Sequence, residues 1–415
     1  MSIWKIIILC LIVLNVLHSQ DTADLYYELL DQEFRDKTDN TDINTLITEF
    51  ENYINSYPNS AQEDEALFRL AGLYKKNSKT NKQFFTLLKL NLLHGKSPLQ
   101  KSVSFILDSL ITYNVEMHLS PESEAAIKTL NNKVAREDYR LSYIDFLSFL
   151  HSVNIASIDP LAIDAFNKYR ILFKTNTDLD AVLFWQAEIY KRNKMQGLAA
   201  MNLKAITSIF KESRFVPKAF FELAQISFNY YKQPDIATDY YIELINQYPE
   251  ADITGDAQYE LARIYDVYFK DTKEALTNYK LQVQAFPDNR YYARSLNRIA
   301  ELYLAENDYI QSVKYYKQIV ESVPDSTFAY GALVKIKDLY LNNINDKAQA
   351  AATMQLFLQI FPKHPETPGY ILKAAKLYQK DIKDNLKANV LFKILIEKYP
   401  QTAAAKEAKT LYTQN

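Results

Sequence analysis

The sequence predicts an all-α chain assembled from repeated helical hairpins, and three observations carry that expectation. Only 6 of the 415 residues are glycine, against an average usage of ~7%. Strand-rich folds, phosphate loops and dinucleotide sites need glycine for positive φ or close backbone approach, and no two glycines here lie close enough to make such a loop. Second, the pairs Tyr248-Pro249, Phe286-Pro287, Val323-Pro324, Phe361-Pro362 and Tyr399-Pro400 follow one another at 38, 37, 38 and 38 residues. Third, a tyrosine stands sixteen residues after each of the first four prolines, as Tyr265, Tyr303, Tyr340 and Tyr378. Self-similarity at a fixed period of this size marks a stacked repeat array.

At the N-terminus one cation, Lys5, precedes an apolar run from Ile6 to Leu17, followed by the polar "HSQD". That run is too short for a membrane span, which needs ~20 residues. It fits the central part of a secretory signal peptide over residues 1–20, cleaved near Ser19 or Gln20. Cys10, the single cysteine, lies inside the run behind Leu9, where a lipoprotein cut would want a small residue, so it reads as an ordinary apolar position. The mature chain would then contain no cysteine and hold together without disulfides, as a long chain with a continuous core can. The formal net charge of −2 gives no support for nucleic-acid binding or for strong attachment to anionic lipid. No integral membrane span is expected after cleavage.

The register of the prolines extends upstream. Phe210 and Phe173 fall 38 and 75 residues before Tyr248, with lysine replacing proline after each. Ala187 and Tyr190 keep their places, as does Ala224, while Ser227 takes the tyrosine position. Tyr57-Pro58 is followed by Leu70, Ala71 and Tyr74 at the same offsets. These landmarks divide the mature chain into an irregular array over 21–160, a regular array of 37–38-residue units over 161–400, and a capping helix over 401–415. Each regular unit reads as two helices. In "DAQYELARIYDVY" and "KEALTNYKLQVQAF" the apolar positions recur at helical spacing, and "FKDT" between them leaves room only for an antiparallel turn. Proline ends the second helix and suits the turn into the next unit. In the irregular part, Ser120 before Pro121 and Asp159 before Pro160 read as helix caps with proline at the first helical position.

Few residues in the chain stand in patterns that carry catalytic chemistry. None of His18, His94, His118, His151 and His364 lies within four residues of another, and no His-Glu-x-x-His pattern exists, so no metal site is expected. No Gly-x-Ser-x-Gly elbow can be drawn with these glycines. No cofactor and no enzymatic activity are expected. Lytic transglycosylases, whose acid is a glutamate followed by serine, would point to Glu212-Ser213 or Glu321-Ser322. Both pairs fall at inter-repeat turns, and neither precedes a glycine-bearing catalytic domain.

The residues that recur resemble the tetratricopeptide repeat. In the unit after Pro287 they are Ile299, Ala300 and Tyr303 on the first helix, Ser312 and Tyr316 on the second, and the closing Pro324. The family's usual period is 34 residues. The longer period here resembles repeats of bacterial envelope proteins such as the barrel-assembly lipoprotein and the Tol-Pal-associated periplasmic coordinator. The likeness runs from Ile163 to the C-terminus and over Tyr57–Tyr74, and is weak from Lys75 to Pro160. It implies a right-handed α-solenoid whose concave face is lined by the first helix of each hairpin.

On that face the resemblance places Phe184, Phe221, Tyr259 and Asn297, with Glu188, Lys218, Gln225, Arg263, Asp266, Arg294 and Glu301 nearby. The rings either clamp an extended protein segment or pack beneath the adjacent helix. The function expected is an exported, non-enzymatic scaffold of the periplasm or cell envelope, concerned with envelope or outer-membrane biogenesis, that binds protein partners through its concave face. The alternative is a module that captures glycans or nutrients on aromatic faces such as Tyr259 or Trp185. If the register is right, Tyr303→Ala is expected to cost ~3–5 kcal/mol, as truncation of a core aromatic does; chemical denaturation checks it.

Overall fold

The computed structural model describes residues 20–36, 43–113, 119–130, 136–174 and 177–412. The leader, with Cys10 and His18, lies outside the described residues, as does His118. Every regular element among the described residues is helical. The chain divides into two units, Met1–Ala219 and Phe220–Asn415, and the division falls within one helix, Val216–Asn229.

The first unit contains α1 (Gln20–Asp36), α2 (Ile43–Ser56), α3 (Glu63–Lys76), α4 (Thr80–Leu93), α5 (Gln100–Tyr113) and α6 (Pro121–Thr129). It continues through α7 (Tyr139–Ser152), α8 (Asp159–Leu172), α9 (Leu179–Arg192), α10 (Gln196–Ile209) and the start of α11 (Val216–Asn229). The second unit holds the rest of α11, then α12 (Pro234–Gln247), α13 (Thr254–Arg263), α14 (Thr272–Ala285), α15 (Tyr292–Ala305) and α16 (Tyr309–Ser322). α17 (Thr327–Asn342), α18 (Lys347–Ile360), α19 (Thr367–Leu377), α20 (Asn385–Lys398) and α21 (Ala403–Tyr412) complete it. Single π turns, Ile264–Phe269 and Tyr378–Ile382, extend α13 and α19.

From α9 onward the helices alternate as first and second members of hairpins. The small residue of the first helix is fully buried in Ala187, Ala224, Ala262, Ala300 and Ala375. The second helix answers with Ala199, Ala237, Ala275, Ser312, Ala350 and Ala388, every one at 0% exposure. A third column, one turn further on, is bulky and just as buried: Leu203, Tyr241, Tyr279, Tyr316, Met354 and Phe392. Lys337, which replaces the alanine of its hairpin, is also buried; it ion-pairs with Asp338 at 2.6 Å and sits over the Tyr370 ring.

The recurring tyrosine has a backbone role as well. The carbonyls of Tyr74, Tyr190, Tyr265, Tyr303, Tyr340 and Tyr378 each accept an N–H from the residue just past the turn, at 2.8–2.9 Å. Ser227 does the same for Gln233. This bond closes the first helix over a left-handed residue, the arrangement usually made with glycine. Here the left-handed residues are Ser78, Lys194, Lys232, Lys270, Asn307, Asn345 and Lys383, with φ of 53–63°. No glycine among the described residues has positive φ. Asp271, Asp308, Asp346 and Asp384 follow four of them and cap the second helix through their side chains. Gly255 serves another purpose: a Cβ there would lie 2.6 Å from Asn289 Nδ2, in the connection that leads into the next hairpin.

The first unit departs from this regularity. α4 packs against α7 as well as against α5, the next helix in sequence. Ser120 caps α6 as expected, accepting from Ser123 N–H at 3.2 Å. Asp159 does not cap α8. It is the buried first residue of that helix and accepts from both Arg192 and Asn193 across the hairpin, because a charged partner on α9 outcompetes its own backbone.

Tyr303 is only half-buried, stacked on Tyr315 with centroids 5.7 Å apart. Its truncation should therefore cost about 1–3 kcal/mol, below the core-aromatic range. The core member of that hairpin is Tyr316, 1% exposed, and Tyr316→Ala is expected to cost about 3–5 kcal/mol. Ser312 gives the opposite sign. Its hydroxyl is buried without a hydrogen-bond partner where neighbouring hairpins carry alanine, so Ser312→Ala should leave stability unchanged or raise it by about 1 kcal/mol. Urea unfolding of the three variants checks the order.

Candidate functional site

The residues expected on a binding face fall in both units. In the first, Phe184 on α9 is buried and stacks on Phe215 with centroids 4.8 Å apart. Glu188, one turn on, lies 3.2 Å from Lys191 and 3.7 Å from His151. The His151 hydrogen bond, joined by Lys191 and opposed by burial, holds its carboxyl down at about 2. Lys218 is exposed.

In the second unit, Phe221 on α11 meets the buried Tyr241 ring edge-on at 5.6 Å, and Gln225 Nε2 donates to the Tyr241 hydroxyl. Arg263 on α13 donates to Glu260 at 2.7 Å and lies over the Phe228 ring. Tyr259 is 7% exposed and stacks nearly parallel on Tyr291 at 4.1 Å, with Arg294 over the other ring of that pair at 5.6 Å. Asp266 is buried and accepts two bonds from Arg298, at 2.6 and 2.8 Å, and one from Tyr279. Arg298 also reaches Glu301, which accepts from Asn297 at 2.8 Å.

The predicted set thus separates into two kinds. Phe184, Tyr259 and Asp266 are consumed by packing and ion pairing. Gln225, Arg263, Asn297 and Glu301 are partly exposed and held in place by neighbours, and Arg294 is exposed. Arg298, Glu260 and Tyr291 were missed. For Arg298 and Tyr291 the signal was a separation of 32–34 residues from the partner, one period less a turn, which recurs in Asp159–Arg192, Asp266–Arg298, Asp256–Asn289 and Asp180–Ser213. For Glu260 it was the three-residue helical spacing to Arg263. Beside this row, Tyr230, Tyr231, Val267 and Tyr268 are exposed, and Tyr268 meets Phe228 edge-on at 6.1 Å. The π turn in α13 carries two of the four; such turns frequently mark functional sites.

The first unit contains a second feature, with no counterpart in the sequence reading. A cleft of about 650 Å³ opens between α2, α3, α4, α7 and α8, lined by Lys82, Lys89 and Lys168 and by apolar side chains. Behind it Glu63 is fully buried. Lys89 Nζ donates to its carboxylate at 3.0 Å, Tyr139 donates at 3.2 Å, and the Asn59 N–H donates at 2.7 Å. His94 Nε2 lies 3.3 Å away. Burial alone would raise the Glu63 pKa, but Lys89, His94 and the Asn59 N–H together hold it well below the usual carboxylate range. A second cleft of about 450 Å³, lined by His94 and Tyr139, lies on the far side of this cluster.

Residues 370–402 match the tetratricopeptide repeat. The matched segment covers most of α19 and α20, with the turn that closes them. No curated protein matches the chain. Among solved structures, the C-terminal part of a tetratricopeptide-repeat protein from Cytophaga hutchinsonii is 14% identical with a TM-score of 0.39, over 64% of this chain and 98% of that one. A tetratricopeptide repeat protein from Parabacteroides merdae is 15% identical with a TM-score of 0.36, over 66% and 97%. YrrB, a repeat protein with an unusual peptide-binding site, is 16% identical with a TM-score of 0.34, over 51% and 98%. At such scores these likenesses carry no argument about what this chain binds.

Removing one partner from a buried ion pair leaves an uncompensated charge, so Lys89→Met should cost about 3–5 kcal/mol. Because the folded pKa of Glu63 is depressed, its stabilisation is present above the ordinary value of 4.5 and is lost as pH falls from there toward the folded value. Glu63→Gln should therefore flatten the decline of Tm below about pH 4.5. Calorimetric scans of both variants from pH 7 to 3 test this; an unchanged slope in Glu63→Gln would mean that other carboxylates govern acid unfolding.

Proposed function

We propose that this chain is an exported, non-enzymatic scaffold of the bacterial envelope that recruits a protein partner through the first-helix face of its second unit. The observation that carries the proposal is the row of Gln225, Arg263, Arg294, Asn297 and Glu301. These are polar side chains left partly exposed on successive first helices, several of them fixed by neighbours, beside exposed tyrosines. Side chains already held in one geometry lose little entropy on binding, and tyrosine and arginine are the residues on which protein interfaces most depend. The tetratricopeptide match over residues 370–402 supports a recruiting role, since stacked helical repeats present extended binding surfaces. The leader pattern at residues 1–20 supports export. Among the described residues no helix is long and apolar enough to cross a membrane. A role in envelope or outer-membrane biogenesis belongs to the same proposal. Glycan capture on Tyr259 has no observation in its favour, because that ring is sandwiched into the core.

Pull-down from the native envelope with the full chain is expected to retain a saturable protein partner. Arg294→Glu with Asn297→Ala should weaken that partner at least tenfold, or about 1.4 kcal/mol, with Tm unchanged. Absence of a saturable partner, or a partner indifferent to both substitutions, counts against the scaffold reading. N-terminal sequencing of the mature protein is expected to start near residue 20; an intact Met1 would remove export from the proposal.

A further inference from the structure

The cleft of the first unit is built differently from the rest of the molecule. Two of its three lysines already have carboxylate partners: Lys82 with Glu51 at 3.0 Å and Lys89 with Glu63 at 3.0 Å. Lys168, on α8, has none among the described residues. Its ammonium donates to the Ile54 carbonyl and to Asn55 Oδ1, both at 2.9 Å, which uses two of three N–H groups on neutral oxygens. The cleft around it is mixed: Leu67, Leu70, Phe85, Leu161 and Leu172 form apolar walls, and Asn55, Asp164 and Asn167 add polar groups near Lys168. Ile171 stands among the lining residues with 66% of its surface exposed.

We infer that this cleft binds a small amphipathic carboxylate, the anionic head on Lys168 and the apolar body against the leucine and phenylalanine walls. A volume of about 650 Å³ lies within the range of small-molecule sites, which are mostly apolar with a few placed polar groups. A partly desolvated cation held only by neutral oxygens is unfavourable, and a ligand carboxylate supplies the missing counter-charge through charge-assisted hydrogen bonds. One uncompensated cation selects a monoanion over a phosphate dianion. Burial, with Lys89 adding to it and Glu63 opposing it, pulls the Lys168 pKa down to about 7. The other titratable groups lining the cleft are Glu51 on α2, Tyr74 on α3, Lys82 and Lys89 on α4, Tyr143 on α7 and Asp164 on α8 itself. The site is independent of the partner-binding face, so either proposal can fail without the other.

Titration calorimetry of the full chain with decanoate and with decanol, matched in tail length, tests the inference. Decanoate is expected to bind with one-to-one saturation at least tenfold more tightly than decanol. Its affinity should fall as pH rises through about 7, where Lys168 loses the charge that holds the head group. Lys168→Met should bring decanoate down to the level of decanol while leaving Tm unchanged or higher, since it removes a desolvated charge. Ile171→Asp, at an exposed position, should weaken both ligands with the fold intact by circular dichroism. Failure of decanoate to saturate, equal affinity for acid and alcohol, or an unaltered Lys168→Met would overturn the assignment.

Discussion

The closeness with which the two helices of a hairpin approach one another sets almost everything else in the regular repeats. At their crossing the first helix presents Ala262 or Ala300 and the second presents Ala275 or Ser312, all at 0% exposure. With side chains this small the backbones come near enough for a short left-handed turn to join them. The carbonyl of the recurring tyrosine is then in reach of the N–H beyond the turn. The bond fixes where the second helix begins, and the second helix brings Tyr241, Tyr279 or Tyr316 against the next hairpin. A larger residue at the crossing would separate the helices and pull the turn open, because a packed interior has no slack to absorb it. The fixed period of 37–38 residues is the trace of this geometry in the chain.

In the first unit charge replaces part of that packing. Glu63 occupies a fully buried position near the start of α3, and it is tolerated because Lys89, Tyr139 and the Asn59 N–H satisfy it from three separate segments. A buried carboxylate with so many partners ties α3 to α4 and α7 more specifically than leucine side chains would, though not necessarily more strongly. The same region has α8 reaching back to α2 through Lys168. Helices held by polar contacts at their edges meet less completely than helices interlocked by alanine and tyrosine columns, and the cleft lies among them.

The alanine, tyrosine and proline columns were legible in the sequence because each depends on neighbours within one period. Ala300 and the turn at Pro324 could be placed from spacing, and Tyr316 from the resemblance to the tetratricopeptide repeat. What spacing hid falls into two classes. The left-handed turns use Lys194, Lys232, Lys270 and Lys383, residues whose type gives no warning of positive φ, so the scarcity of glycine concealed a backbone feature that recurs in every regular hairpin. The contacts of Glu63 with Tyr139 and of Lys168 with Ile54 join residues 76 and 114 positions apart, two and three times the 38-residue spacing, and a register in which each hairpin stacks on its immediate neighbour does not predict contacts that skip units. Asp159 shows the limit of local rules: its position before Pro160 suited a cap, yet Arg192 on the next helix determined its role.

The residues that announce the fold and those available for binding are thus largely different sets. A repeat keeps its tyrosines and alanines because each hairpin needs the next, and that need removes Tyr259 and Phe184 from contact with solvent. The same register positions differ between hairpins: Asp256 and Tyr259 are buried and engaged with the next hairpin, whereas Arg294 and Asn297, one repeat on, are left exposed or partly exposed. Lys168 extends the same logic to the irregular unit. It ties α8 to Ile54 and Asn55 of α2 but has no carboxylate partner among the described residues, so its charge at the edge of the cleft is the feature that the proposed ligand would answer.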